Sequence, residues 1–250
     1  MPTWVEALAR LNAEGRPAAL LTVLKVNGST PREAGAKLLV TQDGWAWGSI
    51  GGGPLEHAAI EDAKAALEEG ACRVVGYGLC GDAESCGGSA EVLIEVLNAG
   101  PHLLLFGAGH VGHALCRVLE GTGHTVHLVD ARPEWLHQPG IPPGVIRHPE
   151  GWDTFLRSVR WNPRTRVVVA THSGDLDRAI LRAVLPVAPG FVGLLGSRAK
   201  AARMRAGLAG DGLSEADLAR LHCPLGLDLG PRKAPQEVAI SIAAQLLALA

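Results

Sequence analysis

The sequence has no surplus of charge of either sign. Lys and Arg total 23 and Asp and Glu total 25, a formal net charge of −2. That balance provides neither a basic stripe for a phosphate backbone nor a polybasic segment for an anionic bilayer, so no nucleic-acid or membrane partner is expected. Long hydrophobic runs are also missing. The most apolar stretch, Val238 to Ala250, is interrupted by Ser241 and Gln245, short of the ~18 consecutive apolar residues of a membrane span. Glu6 and Arg10 fall where a secretory leader needs an unbroken apolar core, and the expected location is the cytoplasm. Five cysteines (Cys72, Cys80, Cys86, Cys116, Cys223) contain no CxxC pair. Their odd number and irregular spacing argue against a structural zinc site and against a disulfide framework.

Glycine, in contrast, is abundant: 32 of 250 residues, nearly twice the usual ~7%. No low-complexity tract absorbs the excess, so the glycines belong to specific turns or ligand loops. With 47% apolar residues the chain can bury one or two cores of ~150 residues each. The turn cluster Asn98-Ala99-Gly100-Pro101 divides it into expected domains 1–98 and 101–250. In the first, a helix from Val5 and strands from Ala18, Ala36 and Trp45 precede a glycine loop and a helix that starts at Pro54 and stops at Gly70; strands from Cys72 and Glu91 follow. This predicts a small α+β domain. The second half alternates strand and helix throughout, with strands from Leu103, Thr125, Val145, Arg166 and Phe191 and a helix over Glu215 to Leu221. The expected fold class is α/β: a Rossmann-like, doubly wound parallel sheet after the smaller domain.

Several constellations carry chemistry. Gly107-Ala108-Gly109-His110-Val111-Gly112 follows an apolar strand and opens a helix, the context of the dinucleotide fingerprint, in which amides and the helix dipole face a pyrophosphate. Asp130, 23 residues beyond Gly107, stands where a carboxylate accepts from a ribose 2′-hydroxyl and repels a 2′-phosphate, a preference for NAD over NADP that Arg132, two residues later, blurs. NAD or another nucleotide is thus an expected ligand. His172 ends the fourth strand as a candidate acid, base or hydrogen-bond partner. Ser197, Arg198 and Lys200 open a basic helix whose cations call for a nearby anion. In the first half, Gly51, Gly52 and Gly53 form a candidate anion nest ahead of Glu56. Cys86, with Cys80 six positions earlier, lies in a polar glycine-rich loop suited to a reactive thiol. Cys72, Cys116 and Cys223 read as packing residues.

Eight ordered strings, GSTPREAGAKLLV, GSIGGGPLE, SCGG, FGAGHVGHAL, VDARPEW, THSGDLD, GLLGSRAK and CPLGLDLG, resemble the XdhC/CoxI proteins, xanthine dehydrogenase accessory factors, over nearly the whole chain. The resemblance implies a molybdenum-cofactor chaperone rather than a catalyst. Such a protein binds molybdopterin-bound molybdenum, protects it while a cysteine desulfurase supplies a terminal sulfur, and delivers it to an apo-hydroxylase of the xanthine dehydrogenase type. It further implies Cys86 as a possible molybdenum contact and Arg32 among the cofactor-binding residues. Where many members carry two adjacent cysteines before Gly-Gly, this chain has Ser85 and only Cys86. The alternatives are an NAD(P)-dependent oxidoreductase and a nucleotide-binding dimeric scaffold. The GSIGGG and SCGG loops are expected to face the GAGHVG edge, within one chain or across a homodimer, with Arg32, Arg198 and Lys200 lining the gap.

Overall fold

The computed structural model describes residues 3–14, 16–79, 88–98, 100–162, 164–187, 189–230 and 233–249. The chain divides into two compact units, Met1–Gly100 and Pro101–Ala250.

The first unit contains α1 (Trp4–Ala13), β1 (Ala18–Asn27), β2 (Lys37–Thr41), β3 (Gly44–Gly48), α2 (Gly53–Glu69), β4 (Arg73–Leu79) and β5 (Gly88–Leu97). Its five strands pair antiparallel in the order β3-β2-β1-β5-β4. The alternation of apolar side chains along β1 feeds two cores. Ala19, Leu21 and Val23 pack with Ala59, Ala63 and Ala66 of α2 on one face, while Ala18 and Leu20 pack with Leu11 of α1 and Trp47 on the other. Helix α2 ends where Gly70 takes a left-handed conformation (φ 67°) and its N–H reaches the Ala66 carbonyl, a stop that a side chain would strain.

The second unit contains β6 (His102–Phe106), α3 (His110–Val118), β7 (Thr125–Val129), α4 (Pro133–Leu136), β8 (Ile146–His148), α5 (Trp152–Ser158), β9 (Arg166–Val169), α6 (Gly174–Val184), β10 (Phe191–Leu194), α7 (Arg198–Gly210), α8 (Glu215–Ala219), β11 (Leu221–His222) and α9 (Pro235–Leu247). All strand pairs are parallel, in the order β8-β7-β6-β9-β10-β11. This is the doubly wound order in which the first and fourth strands of the unit adjoin and the crossovers diverge, the switch point at which such sheets bind ligands. Both faces are covered, as strands built from LLLF and RVVV require. Leu103 and Leu105 pack toward α3 and α9, and Leu104 and Phe106 toward α5 and α6. Two short elements depart from the sequence expectation. The helix expected to reach Leu221 stops at Ala219, because Leu221 instead pairs with Val192 and is buried as β11. A single turn, α4, forms after Asp130.

Three histidines from adjacent strands form a ladder across the unit. His102 Nδ1 lies 3.1 Å from His127 Nε2, His127 Nδ1 lies 3.1 Å from His148 Nε2, and His148 Nδ1 lies 3.0 Å from Glu150 Oε1. The successive rings are stacked. Burial, followed by the two flanking imidazoles, pushes the His127 pKa down to about 3.

Candidate functional site

At the switch point the fingerprint glycines play different parts. Gly107 adopts φ +113°, and a Cβ there would stand 2.3 Å from the Ala170 carbonyl oxygen, so the first turn admits only glycine. A Cβ on Gly112 would stand 2.1 Å from the Gly107 oxygen, which is the close helix-to-strand approach of the third position. Gly109 differs: its φ is −76°, and a Cβ there would meet no atom within 4 Å. Neither conformation nor internal packing calls for glycine at this position. No side chain caps α3, so the first-turn amides stay available to an acceptor. His110, the first residue of α3, stands edge-on to Trp135 at 5.4 Å between ring centroids.

Beside this turn lies a cavity of about 110 Å³, apolar along Phe106, Val129, Trp152 and Ile180 and polar at Asp130, Arg132 and His172. Asp130, 7% exposed, is fully engaged. Its Oδ1 accepts from the Arg132 amide at 3.0 Å and from Arg132 Nε at 2.9 Å. Its Oδ2 accepts from Arg132 Nη2 at 2.7 Å and from the Ala108 amide at 2.9 Å. Burial would raise the carboxyl pKa, but these donors hold it below the ordinary carboxylate value. The guanidinium of Arg132 also lies over the Trp135 ring, 5.1 Å from its centroid. His172 lines the cavity while remaining exposed.

Of the two cations that open α7, Lys200 has its anion inside the unit. Ser197 caps the helix by accepting from the Lys200 amide at 3.2 Å. Lys200 Nζ donates to Asp177 Oδ2 at 2.6 Å and to the Leu195 carbonyl at 3.0 Å. Asp177 is fully buried, and its other oxygen accepts from the Thr171 hydroxyl at 2.6 Å. The pair therefore ties together the loops that follow β9 and β10, and Arg198 alone of the two cations is exposed. Cys223 lies near this pair and is pushed up in pKa by burial.

In the first unit the glycine nest is already filled. Glu56 Oε2 accepts from the Ser49 hydroxyl at 2.6 Å, the Ile50 amide at 2.9 Å and the Gly52 amide at 3.2 Å. Burial would raise the Glu56 carboxyl pKa, and these donors lower it past that effect. Gly51, Gly52 and Gly53 all have positive φ, but the anion they cradle belongs to the chain. The 28–35 loop packs against this turn and against the start of β5. A Cβ on Gly51 would stand 2.4 Å from Pro31 Cγ, and one on Gly88 would stand 2.3 Å from the Ser29 carbonyl oxygen. Arg32 is exposed on the same 28–35 loop.

Cys80 and Cys86 lie outside the described residues. Cys116 is a packing residue, buried and pushed up to about 12 by that burial. Cys72 is exposed instead, because it precedes β4 and its sulfur accepts from the Val96 amide at 3.3 Å across the edge. Sequence reasoning missed the histidine ladder and the part of Trp135. Neither leaves a signal along the chain, since both depend on cross-strand register and on the turn after Asp130.

A family model described as the XdhC Rossmann domain matches residues 103–246, and one described as the XdhC and CoxI family matches residues 11–78. The chain belongs to the XdhC and CoxI family. A relative from Escherichia coli K12, named "Uncharacterized protein YqeB", is 34% identical over 248 residues, 96% of this chain and 44% of that protein. A Bacillus subtilis protein, named as a probable xanthine dehydrogenase subunit, is 26% identical over 162 residues, 64% of this chain and 46% of that one. The chain thus spans less than half the length of these curated relatives. A Bacillus halodurans crystal structure described as a xanthine dehydrogenase shares the fold, with a TM-score of 0.52 at 22% identity over 98% of this chain and 95% of that one. No helix among the described residues is long and apolar enough to cross a membrane.

Proposed function

We propose that this XdhC-family chain is an accessory protein of a xanthine dehydrogenase-type molybdenum hydroxylase. In this reading it acts as a homodimer, holds molybdopterin-bound molybdenum as cargo, shields it while a cysteine desulfurase supplies the terminal sulfur, and passes it to the apo-enzyme. Family membership supports the accessory role. The observation that carries the cargo reading is the packing of the 28–35 loop against Gly51 and against Gly88, two points at which a Cβ would clash. Gly88 is two residues past Cys86.

The thiolate proposed for molybdenum is Cys86, on its match to the family's thiol motif. A carrier must also release its load, so an affinity near micromolar, about 8 kcal/mol, fits the role.

The test is to purify the chain from a host that makes the cofactor and to assay molybdenum and pterin content. Near-stoichiometric pterin is expected in the wild type. Cys86→Ala should lose the cargo at unchanged melting temperature, and Cys116→Ala should retain it. A wild-type protein free of pterin, and unable to activate apo-hydroxylase, defeats the proposal. Turnover of a nicotinamide cofactor by the same sample would favour the oxidoreductase alternative.

A further inference from the structure

We propose that the cavity of the second unit binds a nucleotide through Arg132 rather than through Asp130, and therefore selects a ribose bearing a 2′-phosphate over one with a free diol. A carboxylate at the end of the second strand reads a ribose by accepting from its hydroxyls. Asp130 has about four acceptor positions, and all four are taken: three by Arg132 and one by the Ala108 amide. A diol arriving there meets no lone pair unless the ion pair opens. Opening it would strip a carboxylate that is 7% exposed of its partner, a costly state for a buried charge.

Arg132 is the group with capacity left. Its Nε and Nη2 face Asp130, the Trp135 ring covers one face of the guanidinium, and His110 stands edge-on to that ring. Held on those sides, the side chain keeps one orientation, and among the described residues its Nη1 amino group has no hydrogen-bond partner. A group that meets those two N–H donors must be an acceptor, and a phosphate oxygen forms the charge-assisted version of that bond. The Asp130 charge is offset by its four donors, which reduces its repulsion of an anion at Nη1.

The remaining features fit the same ligand. The apolar wall of Phe106, Val129 and Trp152 suits a base, and the unfilled space over Gly109 gives the backbone room to approach a 5′-phosphate. The site lies wholly within residues 101–250 and does not depend on the cargo reading.

Calorimetry on the full chain with 2′,5′-ADP and 5′-AMP tests the proposal. The wild type should bind 2′,5′-ADP at least about tenfold more tightly, a difference of about 1.4 kcal/mol. Arg132→Gln should bring the ratio to near one. If that variant fails to fold with Asp130 unpaired, Asp130→Asn combined with Arg132→Gln removes both charges and should give the same ratio. Equal or weaker binding of 2′,5′-ADP by the wild type overturns the proposal. So does an undiminished preference in the variants, or no binding of either probe at about millimolar concentration. Molybdenum and pterin content is a separate readout, so failure here is distinguishable from failure of the cargo assignment.

Discussion

At the scale of single residues, the fingerprint separates into positions that hold the fold and a position that leaves room. Gly107→Ala forces a side chain into a positive φ against the Ala170 carbonyl and is expected to cost at least about 1–3 kcal/mol, read as a lowered urea midpoint. Gly109→Val meets open space at its Cβ, so it should unfold at a near-wild-type midpoint yet lose nucleotide binding by about tenfold or more. Equal destabilisation by both would show that the second glycine serves packing, and retained binding by Gly109→Val would show that the ligand does not need the space there. The sequence makes all three glycines visible but not this division, because the atoms that crowd Gly107 come from the loop after β9. Glu56 makes a similar case. Its place after a glycine run suggests a ligand contact, whereas in three dimensions its carboxylate occupies the amides that an outside anion would use.

At the scale of elements, α7 is anchored by a charge pair that runs from its first turn into the core. Lys200→Met leaves the fully buried Asp177 without its cation and is expected to destabilise the protein by about 3–5 kcal/mol. Asp177→Asn combined with Lys200→Met should recover part of that loss in denaturant titrations, and strictly additive effects would show that the two groups do not interact. The histidine ladder sets a pH dependence. His127 titrates near 3 when folded and near 6.5 when unfolded, so below pH 6.5 the unfolded chain takes up a proton that the folded chain refuses. Stability should therefore fall as pH drops from about 6.5 to about 3, by up to about 1.4 kcal/mol per pH unit for this one group, and level off below. His127→Gln should flatten that slope, and an unchanged slope would assign the acid sensitivity to other groups. Strand and helix positions were readable from periodicity and turn residues, as at Thr125 to Val129. The ladder was not, because parallel register is fixed by crossovers and packing rather than by neighbours along the chain.

At the scale of the whole molecule, each unit carries its own apolar clusters: two contain only residues below 100 and two only residues above 100. A fragment spanning 101–250 is therefore expected to unfold cooperatively and to keep the nucleotide affinity of the full chain, as judged by circular dichroism and calorimetry. A fragment without a cooperative transition would show that its core is incomplete alone. The change of grammar at Asn98 to Pro101, from hairpins to strand–helix alternation, made the two parts legible in the sequence. The chemistry of the thiol loop was legible only as composition.

The ladder from His102 to Glu150 also has a direction. An ionised carboxylate can only accept, so His148 must donate to Glu150 from Nδ1. In the tautomer with its proton on Nδ1, His148 has a bare Nε2, which accepts from His127 Nδ1. His127 in turn offers a bare Nε2 to His102 Nδ1. One acidic side chain two residues past β8 thus sets the tautomer of three rings on three strands, and all three should carry their proton on Nδ1. Nitrogen-15 spectra at neutral pH should show three such imidazoles. In Glu150→Gln the amide can donate as well as accept, and the polarity of the row should become mixed.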